Sequence, residues 1–321
     1  MSAKVAVQRY ALVGAWIAVI ILFSILRPDT FATTANVQNI LGSQAVLLVL
    51  TLGLMLPLTT GDFDLSIASV LSLSAMVLAL LNGENGWPLL PAIAAALAAG
   101  LAVGLFNGAC VVLLGLDSFI VTLGSGTFVA GVVTWISDSR TVTGMSPQLS
   151  EWVINNRLFG VSLVFYYGLA LAIVLWYVLT FTALGRRLLF VGRGRSVARL
   201  SGLRVGPLRW SALAGSGLIA ALAGVLYAGS TGGADPTSGA SFLLPAFAAA
   251  YLGATAVTPG RFNAWGAFIA VYFLVTGITG LQLLGVDSFV QQLFYGGALI
   301  LAVALSQIVR RRAAGREAVA A

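Results

Sequence analysis

The chain has 321 residues, of which 59% are hydrophobic and 8% charged, with a net charge of +7. A water-soluble domain carries about 25% charged residues, so this composition places the chain in lipid. The absence of histidine, a lone cysteine (Cys110) and a lone lysine (Lys4) exclude His-based catalysis, an internal disulfide, Cys-based metal sites and a Walker A phosphate loop.

The basic residues sit in short gaps between apolar runs, without interleaved exposed aromatics, which argues against nucleic acid as a partner. A helix rises about 1.5 Å per residue, so roughly 20 apolar residues cross the hydrocarbon core. Ten segments are predicted: 10–26, 43–59, 65–81, 88–114, 119–136, 161–182, 210–228, 242–257, 262–284 and 289–309. The first is flanked by Lys4 and Arg9, is long for a signal peptide and lacks a clear cleavage site before Arg27-Pro28-Asp29. It is expected to be an uncleaved helix. The second, third and eighth are short, with Pro57 and Pro245 in or near them, and are expected to be broken or partly re-entrant.

Between the second and third segments lies Thr60-Gly61-Asp62-Phe63-Asp64-Leu65-Ser66. An Asp at the bilayer centre costs about 2.5–3.5 kcal/mol on insertion scales. This turn must therefore lie at a membrane surface or be buried in protein around a watery path. Locally it reads as a connection in which Asp64 caps the next helix and Leu65-Ser66 opens it.

On the fourth segment Gly100, Gly104 and Gly108 recur every four residues, as Ala220, Gly224 and Ala228 do on the seventh. Such faces let helix backbones approach closely in lipid, so these positions are read as packing surfaces. Asn107 is an amide in an apolar helix, and Thr122 and Ser125 follow on the fifth; each serves either an interhelical bond or a polar path.

Residues 184–209 hold seven arginines and no acid. Ser196 is placed to cap a short helix in which Val197, Leu200 and Leu203 share a face, before Gly206-Pro207 ends it. Such a basic amphipathic helix lies on anionic headgroups or inserts into a partner protein's groove. Gly192-x-Gly194 lacks the third glycine of a dinucleotide fingerprint.

With the N-terminus inside and ten crossings, the outside gaps hold only Arg27, Arg140 and Arg157; every other basic residue falls inside. That bias predicts both termini in the cytoplasm. Two short motifs recur. Leu113-Leu114-Gly115-Leu116-Asp117-Ser118-Phe119 is echoed by Leu283-Leu284-Gly285-Val286-Asp287-Ser288-Phe289, and Thr60-Gly61-x-x-Asp64 by Thr231-Gly232-x-x-Asp235. Their near-identical offsets, with first members inside and second outside, predict two inverted five-helix halves, about 10–136 and 161–309, in one transmembrane domain.

At these residues the chain resembles the permease subunits of bacterial ABC sugar importers, the ribose/xylose/galactose-type group within the branched-chain permease superfamily. Thr60-Gly61-Asp62-Phe63-Asp64-Leu65-Ser66 is similar to the family's Thr-Gly-Gly-Ile-Asp-Leu-Ser turn. Asn107-Gly108 and Ser118-Phe119-Ile120-Val121-Thr122-Leu123-Gly124 resemble its Asn-Gly and Pro/Ser-Phe-Ile-Val-Thr-Leu-Gly motifs. Gly192 followed by Ala198-Arg199-Leu200-Ser201-Gly202 resembles its cytoplasmic coupling loop, and Gly253-Ala254-Thr255 with Gly260-Arg261-Phe262 and Gly266 its Gly-Gly-Thr and Gly-Arg-Gly stretch. Three departures stand out: Asp62 replaces a glycine, Gly194-Arg195-Ser196-Val197 replaces an Asn-Pro-Glu-Ala-like run, and Phe242-Leu243-Leu244 replaces a Glu-Leu pair.

The resemblance implies an all-α integral membrane permease of the bacterial cytoplasmic membrane, importing a monosaccharide and performing no covalent chemistry. It implies no cofactor. The implied partners are a second permease subunit, two cytoplasmic ATPase subunits and an extracytoplasmic solute-binding protein. The residues expected along the path are Asp62, Asp64, Ser66, Asn107, Thr122 and Ser125. Those expected to contact the ATPase are Arg195, Val197, Ala198, Arg199, Leu200, Ser201, Gly202 and Leu203. Alternatives are an importer for branched-chain amino acids or nucleosides, an ion-coupled secondary transporter with paired ionisable residues at mid-depth, and an intramembrane aspartyl protease with two facing Asp residues.

Overall fold

The computed structural model describes the backbone of residues 3–287 and 289–319 and the side chains of 9–287 and 289–304. Ser288 of the second echo lies outside the described residues, as do the side chains of Lys4, Arg310, Arg311, Arg312 and Arg316. Fourteen α-helices follow in chain order: α1 (Ala3–Leu26), α2 (Thr34–Ser43), α3 (Ala45–Thr60), α4 (Ile67–Leu78), α5 (Leu89–Val112), α6 (Ser118–Ile136), α7 (Pro147–Ser150), α8 (Leu163–Phe181), α9 (Ala183–Arg193), α10 (Arg195–Leu200), α11 (Val205–Thr231), α12 (Ala240–Gly253), α13 (Ala264–Leu283) and α14 (Phe289–Val319). Four two-residue strands, β1 (Val142–Thr143), β2 (Arg157–Leu158), β3 (Val161–Ser162) and β4 (Gly233–Ala234), form the antiparallel pairs β1–β4 and β2–β3.

Among the described residues, eight helical runs are long and apolar enough to cross a membrane, and two apolar helices, Ala240–Gly253 and Phe289–Ala304, are shorter. The chain is therefore an all-helical, multi-pass membrane protein. The second predicted segment is not short: α2 and α3 together make the run Thr34–Thr60, stepping at Gln44. Its polar first turns hid it, and they are helical because the Thr33 hydroxyl accepts from Asn36 N at 3.2 Å. Pro57 does not end α3; its carbonyl accepts from Asp62 N and from Thr60 Oγ1, each at 2.9 Å. The third segment also gains length, through a π-helical extension of α4 to Glu84. The eighth, α12, stays short, with Pro245 inside it.

All of α3 is buried, at the centre of the molecule. It packs against α11, which also meets α5 and α4. The glycine stripe of α5 makes this possible: a Cβ at Gly104 would sit 2.6 Å from the Leu213 carbonyl oxygen, and one at Gly217 2.9 Å from Gly104 Cα. Gly100 and Gly108 lie against Ala221 and Trp210 of α11, whereas Gly224 of the second stripe faces Leu71 of α4.

Contacts sort the connections onto two ends of the bundle. One end gathers the turn after α3, the start of α6, α9 and α10, and Val257, whose N–H donates to Arg9 O at 3.1 Å. The other gathers the β1–β4 pair, Gly42 against Ser162, and the exposed ion pair of Arg140 with Glu84 at 2.6 Å. This arrangement leaves Phe106, Ile120, Phe128 and Trp135 facing outward, as lipid or a neighbouring subunit requires.

Candidate functional site

The turn after α3 is built from α3, α5, α6, α10 and α11 together. Gly61 closes α3 in the left-handed region at φ 78°, which lets the Asp62 N–H reach back to Pro57 O. The next backbone donors are taken by side chains of α6. Phe63 N donates to Ser118 Oγ at 3.1 Å and Leu65 N to Thr122 Oγ1 at 3.0 Å, while Thr122 returns its own proton to Ser118 O at 2.7 Å. Asp117 holds the start of α6 by accepting from Phe119 N and Ile120 N.

Asp64 does not cap α4. The N-cap position is Ser66, and Asp64 Oδ1 accepts from Ser66 N at 3.1 Å and from Ser66 Oγ at 2.6 Å. The turn therefore runs two residues further before α4 starts at Ile67, because the short carboxylate satisfies the N–H of the residue two ahead. Ser66 Oγ in turn accepts from Asn107 Nδ2 at 2.9 Å. Asp64 Oδ2, Asn107 Oδ1 and Ser216 Oγ are buried with no hydrogen-bond partner among the described residues; Ser216 faces the Asp64 carboxyl without closing a bond. Burial pushes the Asp64 carboxyl above the ordinary carboxylate range, against a smaller opposing pull from Ser66 and Ser216.

Asp62 is 1% exposed and fully engaged. Arg209 grips it through Nε to Oδ2 at 2.8 Å and Nη2 to Oδ1 at 2.6 Å. Arg195 Nη2 donates to Asp62 Oδ1 at 2.8 Å and to Gly61 O at 2.9 Å, and the Thr60 hydroxyl, which shares its one proton with Pro57 O, lies 3.2 Å from Asp62 Oδ2. Of the six expected path residues, the structure thus brings Asp62, Asp64, Ser66, Asn107 and Thr122 to this turn. Ser125 follows Thr122 by one turn and, among the described residues, its hydroxyl bonds to Thr122 O of its own helix. Ser118, Ser216 and Arg209 belong to the same assembly but were not among the expected path residues; Ser118 stood in the echoed motif, whereas Ser216 in its helix and one arginine among seven carry no distinguishing signal.

All six expected path residues are buried. Two of the open cavities among the described residues lie elsewhere. One, about 420 Å³, is at the opposite end among Gln38, Asn39, Arg157, Tyr227 and Thr231. The other, about 570 Å³, lies between α12 and α14 beside Leu244, Gln292 and Tyr295.

Residues 184–209 are mostly helical rather than a loop. Gly194, not Ser196, precedes α10, which ends at Leu200, and Gly206-Pro207 fall in the first turn of α11 instead of stopping a helix. Ala198 is buried with Val191 and Val205, and Leu203 packs against them. Val197 and Leu200 point outward, 57% and 89% exposed. The expected common face is split, because the chain turns at Gly202 (φ +80°) and carries Leu203 inward. Arg199, Ser201 and Gly202 are exposed, while Arg195 is held at the turn.

The echoed turns share local geometry. Gly232 ends α11 at φ 71° as Gly61 ends α3, and Asp235 Oδ1 accepts from Thr237 N at 2.9 Å and Thr237 Oγ1 at 2.6 Å, as Asp64 does from Ser66. The environments differ: Asp64 is buried, whereas Asp235 lies near the surface, and its hydrogen bonds hold its carboxyl below the usual range.

Relatives of the chain are named as permeases. The D-allose transport system permease protein AlsC of Escherichia coli K12 is 30% identical over 293 residues, covering 91% of this chain and 90% of that protein. The ribose import permease protein RbsC of the same organism is 32% identical over 292 residues, covering 90% of each. Its xylose transport system permease protein XylH is 25% identical over 365 aligned positions, covering 95% of this chain and 93% of that protein. No solved structure matches the chain. Residues 36–303 match the family described as the branched-chain amino acid transport system permease component, and the chain belongs to that family.

Proposed function

We propose that the chain is the membrane-spanning subunit of an ATP-binding cassette importer for a monosaccharide, a pentose, hexose or related sugar. The observation that carries this reading is that relatives named as allose, ribose and xylose permeases align over nine-tenths or more of the chain. Hydrolysis belongs to separate ATPase subunits, docked where Val197 and Leu200 stand exposed. A second permease copy or homologue, two ATPases and an extracytoplasmic binding protein complete the assembly. The chain spans the cytoplasmic membrane with both termini inside, as ten helices in two inverted halves. The shared geometry of the Gly61–Ser66 and Gly232–Thr237 turns at opposite ends supports that repeat.

ATP binding closes the ATPases, moves α10 and switches the path. Asp64, Ser66, Asn107, Thr122 and Ser125 border that path at the end where α10 lies; buried as they are here, they are reached only in another state. The test is purification of the tagged chain from its own membranes, followed by uptake into proteoliposomes. A P-loop ATPase should co-purify, and labelled ribose, xylose or allose should enter only with ATP and binding protein present. Uptake driven by an ion gradient without ATP would make the chain a secondary transporter. The family description favours one second reading, a branched-chain amino acid importer. Uptake of leucine with none of sugar would select it.

A further inference from the structure

Two departures from the sugar-permease pattern, Asp62 in the turn and Arg195 in the basic stretch, lie 133 residues apart in sequence and meet as one ion pair. The carboxylate is 1% exposed, and the Arg209 side chain, which forks onto it, is 12% exposed. Paired charges so removed from water are strongly coupled, since losing one leaves the other buried and unpaired. Arg195 is the first residue of α10 and grips both the Asp62 carboxylate and Gly61 O. The turn it grips is tied to α6 through Ser118 and Thr122, and to α5 through Asp64, Ser66 and Asn107. A continuous polar route thus runs from the helix that displays Leu200 to the buried cluster. Apart from this ion pair, α10 is held by Ala198 in a small apolar cluster with Val191 and Val205.

We propose that Asp62 is a positioning residue: it transmits displacement of α10 to the turn after α3 through Arg195 and Arg209, and it does not bind sugar. The proposal rests on the importer reading above. Both of its carboxylate oxygens are already occupied by cations, which leaves it poorly placed to bind a neutral polyol. If α10 moves, the turn moves with it, and with the turn the first residues of α6.

The experiment uses the complete transporter in proteoliposomes, comparing wild type, Asp62→Asn, Arg195→Gln and the double variant. Initial uptake rates give KM and maximal rate, and phosphate release gives ATP hydrolysed per sugar. Each single variant should lower the maximal rate about tenfold, leave KM within about twofold and raise ATP per sugar about fivefold, with ATPase subunits still attached. The double variant should be no worse than the worse single one, as expected for two members of one interaction. Normal coupling in both single variants overturns the proposal. So does a raised KM with unchanged coupling in Asp62→Asn alone, which would make Asp62 a sugar ligand. If Asp62→Asn does not accumulate in the membrane, the partly exposed Arg195→Gln decides: uncoupling supports the strut and normal coupling overturns it. ATP-independent uptake by the wild type sinks the importer reading itself, and the proposal with it; that result is told apart because it appears without any substitution.

Discussion

At Asp64, burial and incomplete hydrogen bonding act on one carboxyl. Oδ1 has two donors from Ser66, whereas Oδ2 has none, so the ionised form lacks the solvation water would give it. Its folded pKa is raised above the ordinary 3.8, so the native state holds the proton more tightly than the unfolded chain. The stabilisation by that proton is present at acid pH and is lost as pH rises through the folded value. An amide keeps the Oδ1 acceptor and cannot ionise. Asp64→Asn should therefore gain melting temperature relative to wild type as pH goes from about 4 to 8. A difference in melting temperature that does not change with pH would show that Asp64 stays ionised throughout. The polar residues inside apolar sequence were legible as candidates, because lipid makes them costly wherever they lack partners. Ser216 was not, because a serine hydroxyl can bond back to its own helix and so needs no neighbour that sequence would reveal.

Among the elements, the α5–α11 contact and α10 make separable demands. Gly104 has no room for a side chain, since a Cβ would also lie 3.0 Å from Ala214 Cα. Gly104→Val should destabilise the protein by about 1–3 kcal/mol or more through overpacking, seen as a lower melting temperature in detergent. Gly124→Ala on α6, where nothing lies within 4 Å, should be neutral or slightly stabilising. Equal losses at both positions would mean that α5 and α11 do not cross at Gly104. For α10, Leu200→Asp should leave the chain folded yet strip the ATPase subunits during purification, because burying a leucine is worth about 1.5–3 kcal/mol and a few anchors dominate an interface. Arg199→Ala should weaken the complex less, and mostly at high salt. Retention of ATPase by Leu200→Asp would instead place that side chain in the headgroup region. The long apolar helices were legible from hydrophobicity, whereas α7, α9 and the lengths of α2–α3 and α11 were not: these stretches are polar, basic or Gly/Pro-containing and are held by caps and tertiary contacts.

For the whole molecule, the sorting of connections onto two ends makes sidedness testable. In a Cys110→Ala background, a cysteine at exposed Ser196 should be shielded from an impermeant thiol reagent in intact cells, while cysteines at exposed Gln148 and Thr237 should label. Labelling at Ser196 from outside would invert the orientation derived from the arginines.

The sequence by itself determined the kinship and the solvent, the latter because transfer of each helix into lipid depends on its own residues and little else. It also marked the turn at Thr60–Ser66 and the arginine-rich stretch as unusual. Only the tertiary structure decided that these two are one assembly. Asp62 reaches Arg209 across 147 positions because α3 and α11 lie side by side in the core, bringing the turn at the end of one to the start of the other. Which of seven arginines meets a buried carboxylate depends on which helices pack together, and helix packing in lipid is settled by close backbone approach between segments rather than by the hydrophobicity of any one of them.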